Sequence, residues 1–112
     1  MQDLQLRIRE FAQARAWQPF HTPKNLASAL IIEAAELLEH FQWQTPEQSQ
    51  GLDPDEKEAV ALEMADVLIY LIRLAEVMGI DLIETSKRKI EINALKYPLA
   101  PPARESDQRP TE

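Results

Sequence analysis

Two acidic pairs constrain this chain more than any other feature: Glu33-x-x-Glu36 within LASALIIEAAELLEHF, and Glu63-x-x-Asp66 within AVALEMADVLIYLIRLA. Apart from the acids, both stretches read as apolar helix. Residues three apart on a helix are separated by about 60° around the axis and about 4.5 Å along it, so each pair projects both carboxylates from one face. Glu33 is flanked by Ile31, Ile32, Ala34 and Ala35, and Asp66 by Met64, Ala65, Val67 and Leu68, so at least one edge of each acidic face must adjoin the core. Ionised carboxylates are rarely buried unless something pairs with them, and no Lys or Arg stands beside these acids. Two like charges ~4 Å apart repel by about 4 kcal/mol at an effective dielectric of about 20, so some of the acids should titrate upward without a counterion. A divalent cation between the two faces resolves the conflict.

Local signals place both pairs on helices of an all-α antiparallel four-helix bundle. Leu4, Ile8, Phe11 and Ala12 follow helical spacing and predict a first helix from about Leu4 to Ala16, with Arg7, Arg9 and Arg15 largely solvated. Thr22 followed by Pro23 reads as a cap with Pro in the first turn, opening a second helix to about Phe41. Gln44 to Gly51 is a polar connection, with a helical turn starting at Thr45. Asp53-Pro54-Asp55-Glu56 combines a capping Asp, a first-turn Pro and a capping-box Glu, and starts a long third helix that Gly79 ends. Asp81 with Glu84 repeats the pattern for a fourth helix ending near Lys96, with Leu82, Ser86, Ile90 and Asn93 on one face. Residues 1–97 are thus expected to form the domain, and 98–112, rich in Pro and poor in large apolar groups, a flexible tail.

Composition narrows the chemistry. With no Cys, disulfides and thiolate metal sites are excluded, and Asp, Glu and two His remain as metal ligands. Oxygen ligands favour Mg²⁺, with Mn²⁺ as its substitute. A net charge of −7 argues against coating a nucleic-acid polymer, which needs clustered Lys and Arg, yet permits a small polyanion bound through a metal. No signal-peptide pattern and no uninterrupted apolar run of transmembrane length occurs, so a cytoplasmic chain with no membrane partner is expected. A core this small with long apolar faces points to a homo-oligomer, a dimer or tetramer.

A di-iron bundle competes for the same carboxylates, but it uses Glu-x-x-His on each of two helices, and this chain has no such spacing. A non-catalytic helical module whose acidic groove binds metal or a basic partner is the rival of a different class.

The acidic pairs resemble those of the all-α nucleoside triphosphate pyrophosphohydrolases of the MazG-like superfamily. The ordered series Trp17, Phe20-His21, Pro23-Lys24-Asn25-Leu26, Glu33-x-x-Glu36-Leu37, Phe41-Gln42-Trp43, Glu63-x-x-Asp66-Val67-Leu68-Ile69-Tyr70-Leu71 and Lys89-x-x-x-Asn93 before Tyr97-Pro98 is similar to its dCTP pyrophosphatase branch. The resemblance covers about Leu4 to Pro98. Many superfamily members carry two adjacent Glu where Ile32 here precedes Glu33, which tells against an extra acid in a multi-metal site and leaves the metal count open.

The resemblance implies hydrolysis of a nucleoside triphosphate, dCTP or a modified dCTP, to the monophosphate and pyrophosphate, a nucleotide-pool cleansing reaction. A triphosphatase of other base preference, such as a dUTPase-like enzyme, is the alternative within the class. Glu33, Glu36, Glu63 and Asp66 would hold Mg²⁺, and one Glu, Glu36 foremost, would accept the proton of the attacking water. Lys89 would meet the phosphates, or else belong to a solvated run with Lys87 and Arg88; Asn93 lies one turn further on, a substrate ligand or a surface amide. Tyr70, one turn after Asp66, can reach phosphate or sugar, or pack in the core. Trp17 and Trp43, each at a helix end, can wall a nucleobase or serve as ordinary packing. Phe20 belongs to that pocket or to the core, while His21 and Asn25 either bond base or sugar or organise the turn around Pro23.

Overall fold

A computed structural model describes residues 1–99. The described residues contain no strand: they form α1 (Gln2–Ala14), a 3-10 turn at Gln18–Phe20, α2 (Pro23–Glu39), α3 (Pro46–Ser49), α4 (Pro54–Val77) and α5 (Leu82–Lys96). The all-helical expectation holds. The tail expected from Pro98 falls from residue 100 onward outside the described residues. The chain divides into two units, Met1–Ile80 and the segment from Asp81 that contains α5.

Helix starts obey their capping signals. The Thr22 hydroxyl accepts the Asn25 N–H at 3.2 Å with Pro23 opening α2. Asp53 accepts the Glu56 N–H at 2.8 Å while the Glu56 carboxylate accepts the Asp53 N–H at 3.0 Å, a complete capping box for α4. Thr45 and Gln48 make the same reciprocal pair, at 3.1 and 2.9 Å, and produce the short α3. Asp81 accepts the Glu84 N–H at 3.0 Å at the start of α5. Each contact satisfies backbone donors that the first helical turn otherwise leaves unpaired.

Helix ends show where local sequence is less explicit. At the end of α4, Ile80 N–H donates to Ala75 C=O at 2.8 Å and Gly79 N–H to Glu76 C=O at 3.0 Å, with Gly79 at φ 69°. This Schellman arrangement suits glycine. The same pattern ends α1, where Trp17 N–H donates to Ala12 C=O and Ala16 N–H to Gln13 C=O, both at 3.0 Å. Here the left-handed residue is Ala16, at φ 54°. The first helix therefore stops at Ala14 rather than Ala16, because the chain turns out through a residue that carries no glycine signal.

In the first unit, α2 packs along α4 and α1 packs on α4. The buried apolar residues are Ala12 of α1, Leu26 of α2, and Val60, Ile72 and Ala75 of α4. Arg9 and Arg15 are exposed yet engaged: Arg9 Nε donates to Glu76 at 2.7 Å, and the Arg15 guanidinium lies 3.6 Å from the centre of the Phe11 ring. In the second unit, α5 leaves Ile90 and Leu95 exposed. No helix of the described residues is long and apolar enough to cross a membrane.

Candidate catalytic centre

Packing of α2 on α4 brings the two acidic faces together. Glu33, Glu36 and Glu63 each place a carboxylate oxygen within 4.8 Å of the others. The convergence leaves a visible electrostatic cost. The Glu33 carboxyl is pushed up to about 7, first by a hydrogen bond with Glu36, then by burial and by the charges of Glu36, Glu63 and Asp66. Glu63 is also raised, chiefly by burial and then by Glu36. Its Oε2 is buried and has no hydrogen-bond partner. Clustered oxygen donors, one of them stranded, are the donor set of a hard divalent cation. Asp66, the fourth expected ligand, is exposed and lies outside the group of three oxygens, although its charge raises both Glu33 and Glu63.

A cavity of about 510 Å³ takes Glu33 and Asp66 among its walls, within the range of sites for drug-sized ligands. Its apolar lining comes from Leu4, Ile8 and Phe11 of α1, from Trp17, and from Ile69 and Tyr70 of α4; Arg7, His21 and Arg73 add polar groups. Trp17 reaches this wall because the turn at Ala16 carries the chain off α1. Its ring meets Phe11 edge-on, with centroids 5.5 Å apart and planes at 68°. His21 follows at 5.9 Å from Trp17. Burial first, then the Arg73 charge, lowers the His21 pKa.

Five of the expected site residues, Trp17, His21, Glu33, Asp66 and Tyr70, line this one cavity, and Glu36 and Glu63 complete the carboxylate group beside it. Phe20, Asn25 and Trp43 are not among its walls. Phe20 and Trp43 are 67% and 88% exposed. Asn25 is committed to the turn, its amide donating to the Phe20 carbonyl at 3.0 Å. Lys89 and Asn93 stand one turn apart on α5, Lys89 exposed and Asn93 half-buried. Arg7, Phe11 and Arg73 were not foreseen as site residues. Arg73 was within reach of sequence reasoning, since Asp66, Tyr70 and Arg73 follow i, i+4, i+7 spacing on α4.

The chain is similar to several known proteins. The pattern of the MazG-like family matches residues 29–108. The chain is 42% identical to dCTP pyrophosphatase 1 of Homo sapiens over 114 aligned residues, covering 100% of this chain and 66% of that protein. It is 39% identical to dCTP pyrophosphatase 1 of Bos taurus over 101 residues, covering 88% of this chain and 60% of the relative. The chain thus spans 60–66% of the length of these curated relatives. The crystal structure of a pyrophosphatase from Archaeoglobus fulgidus superposes with a TM-score of 0.84 at 47% identity, over 88% of this chain and 93% of that one.

Proposed function

We infer that this chain, which belongs to the MazG-like family, is a divalent-cation-dependent nucleoside triphosphate pyrophosphohydrolase acting on dCTP or a modified dCTP. The observation that carries this reading is the shared wall: Glu33 belongs both to the three-carboxylate group and to a cavity faced by Trp17, Phe11 and Tyr70. A polyanion handled at the carboxylates can thereby keep its aromatic end in the cavity. An interaction module needs an acidic surface but has no use for the adjoining aromatic cavity.

The residues fit a bound cation, because the stranded Glu63 Oε2 and the raised Glu33 carboxyl are both relieved by one. Glu33, Glu36 and Glu63 would hold it, with Asp66 completing the negative field. When bound, Mg²⁺, or Mn²⁺ in its place, supplies neutralisation of phosphate oxygens and acidification of water. The protein's own part is to orient and to accept a proton. Water attacks the α-phosphorus, its proton passes to a carboxylate oxygen of Glu36, and the bond from the α-phosphorus to the bridging oxygen breaks, giving monophosphate and pyrophosphate. Trp17 with Phe11 walls the base and Tyr70 serves sugar or phosphate; the family resemblance would make Lys89 a phosphate ligand and Asn93 a substrate ligand. Work on free nucleotides would place the protein in the cytoplasm.

The active form is a homo-oligomer, a reading supported by Ile31, Ile32 and Leu38 on α2 and Leu62, Met64 and Leu68 on α4, all exposed in the single chain. Trp43 and Phe20 are then free to meet a second copy. Sedimentation equilibrium tests this, with a monomer at micromolar concentration as the contrary result. The activity itself is tested by incubating the protein with dCTP with and without Mg²⁺ and separating products by ion exchange. dCMP and pyrophosphate, formed only with metal, are expected; dCDP with phosphate would reject the mechanism. dUTP turned over far faster than dCTP would favour the dUTPase-like alternative.

A further inference from the structure

Arg73 is the one buried charged residue among the described residues, 7% exposed on α4. Two contacts hold its guanidinium. Nη1 donates to Glu76 Oε1 at 2.7 Å, and Nε donates to Nδ1 of His21 at 3.0 Å. The other Glu76 oxygen, Oε2, accepts Arg9 Nε at 2.7 Å, so a single carboxylate ties α1 to α4 and aims Arg73 at His21. Arginine has donors only and is always protonated. Its contact with Nδ1 therefore requires a bare lone pair on that nitrogen. An imidazolium cannot accept the bond and would set two cations side by side. The ring is consequently neutral, and its proton is on Nε2. Among the described residues, that nitrogen makes no hydrogen bond, while His21 is part of the cavity wall next to Trp17.

We propose that Arg73 is a positioning residue for nucleobase selection, holding His21 as a neutral donor whose Nε2–H is offered to the cavity, so that the site takes a pyrimidine edge presenting an acceptor. Cytosine has such an edge in its O2 carbonyl and ring N3. The proposal rests on the nucleotide reading above and adds to it a residue whose part is played through the His21 ring. Arg73 restrains the ring in two ways. It stops rotation of the imidazole about χ2, and it denies the proton that would turn an oriented neutral donor into a mobile charge. A site built on one oriented hydrogen bond discriminates against ligands that leave the bond unmade.

The test has two arms. In the first, long-range ¹⁵N–¹H NMR on the intact cation-free protein reads the tautomer of His21 from about pH 6 to 8. A bare Nδ1 with a protonated Nε2 at the upper end of that range is expected; a protonated Nδ1 or an imidazolium there overturns the clamp. In the second, steady-state turnover of dCTP is measured for Arg73→Met, His21→Ala and the double variant, with circular dichroism confirming that each is folded. Arg73→Met should raise KM by about 3- to 10-fold, the worth of one oriented hydrogen bond, with kcat within about twofold. Adding Arg73→Met to His21→Ala should change nothing further, since Arg73 acts through the ring. His21→Gln, whose amide donates without tautomers, should likewise be insensitive to Arg73→Met. Losses that multiply in the double variant would overturn the proposal by showing that Arg73 acts by another route. A wild-type protein that turns over no nucleotide overturns the functional reading and the selection role with it, whereas the NMR arm judges the clamp independently.

Discussion

Glu33→Gln should make the cation-free protein more stable at neutral and alkaline pH while removing its activity. The glutamine amide stands in for the protonated carboxyl and keeps a donor toward Glu36 without the charge. In the folded chain Glu33 titrates at about 7, against an ordinary 4.5, so between these values the native state holds a proton that the unfolded chain has released. With more protons bound to the native state, stability is greatest below about 4.5 and falls as pH rises through about 7. The full displacement corresponds to a ceiling of about 3 kcal/mol; the site is open to water, and screening reduces the expected gain to about 1–2 kcal/mol at pH 8. For a domain of this size, that is a rise in Tm of roughly 5–10 °C. The assay is thermal unfolding by circular dichroism in a chelator, at about pH 5 and pH 8. Wild type should lose stability between the two, the variant much less. Excess Mg²⁺ should reverse the order at pH 8, because only the complete carboxylate set gains fully from binding. A Tm for Glu33→Gln at or below that of wild type, in chelator at pH 8, would refute the claim that the acids strain the fold without a cation.

Glu63→Gln should lower kcat/KM for dCTP by at least about 100-fold while leaving the helical content intact, as judged by steady-state kinetics and circular dichroism. Trp17→Ala should raise the KM for dCTP by roughly 5- to 100-fold, the cost of one aromatic stacking surface, with a smaller effect on kcat. Ala16→Gly should stabilise the protein by about 0.5–1 kcal/mol in denaturant unfolding, since glycine adopts the left-handed conformation at φ 54° without the Cβ penalty.

The parts of this fold legible from sequence were those set by neighbouring residues. Thr22, Thr45, Asp53 and Asp81 announce helix starts because each cap is completed within three residues, and all four caps form. The convergence of Glu33 and Glu36 with Glu63 was legible because acids set in two apolar helices are brought to one place when those helices pack. The turn at Ala16 was hidden, since its conformation is imposed by the Schellman bonds and not announced by a glycine. That turn decides the fate of Trp17. Trp17 and Trp43 look alike in sequence, each at a helix end, but only Trp17 is carried back onto Phe11 and into the cavity wall. Arg73 is legible by spacing on the face of Asp66 and Tyr70, but its partnership with His21 is not: the two lie 52 residues apart, and a long-range hydrogen bond leaves no trace in local spacing.

Hydrolysis of dCTP in ¹⁸O-labelled water with Mg²⁺, followed by ³¹P NMR of the products, identifies the phosphorus that water attacks. Attack at the α-phosphorus predicts label in dCMP and none in pyrophosphate, with no reaction in chelator. Label in pyrophosphate would place attack at the β-phosphorus, and label in inorganic phosphate beside dCDP would place it at the γ-phosphorus; either result would contradict the account.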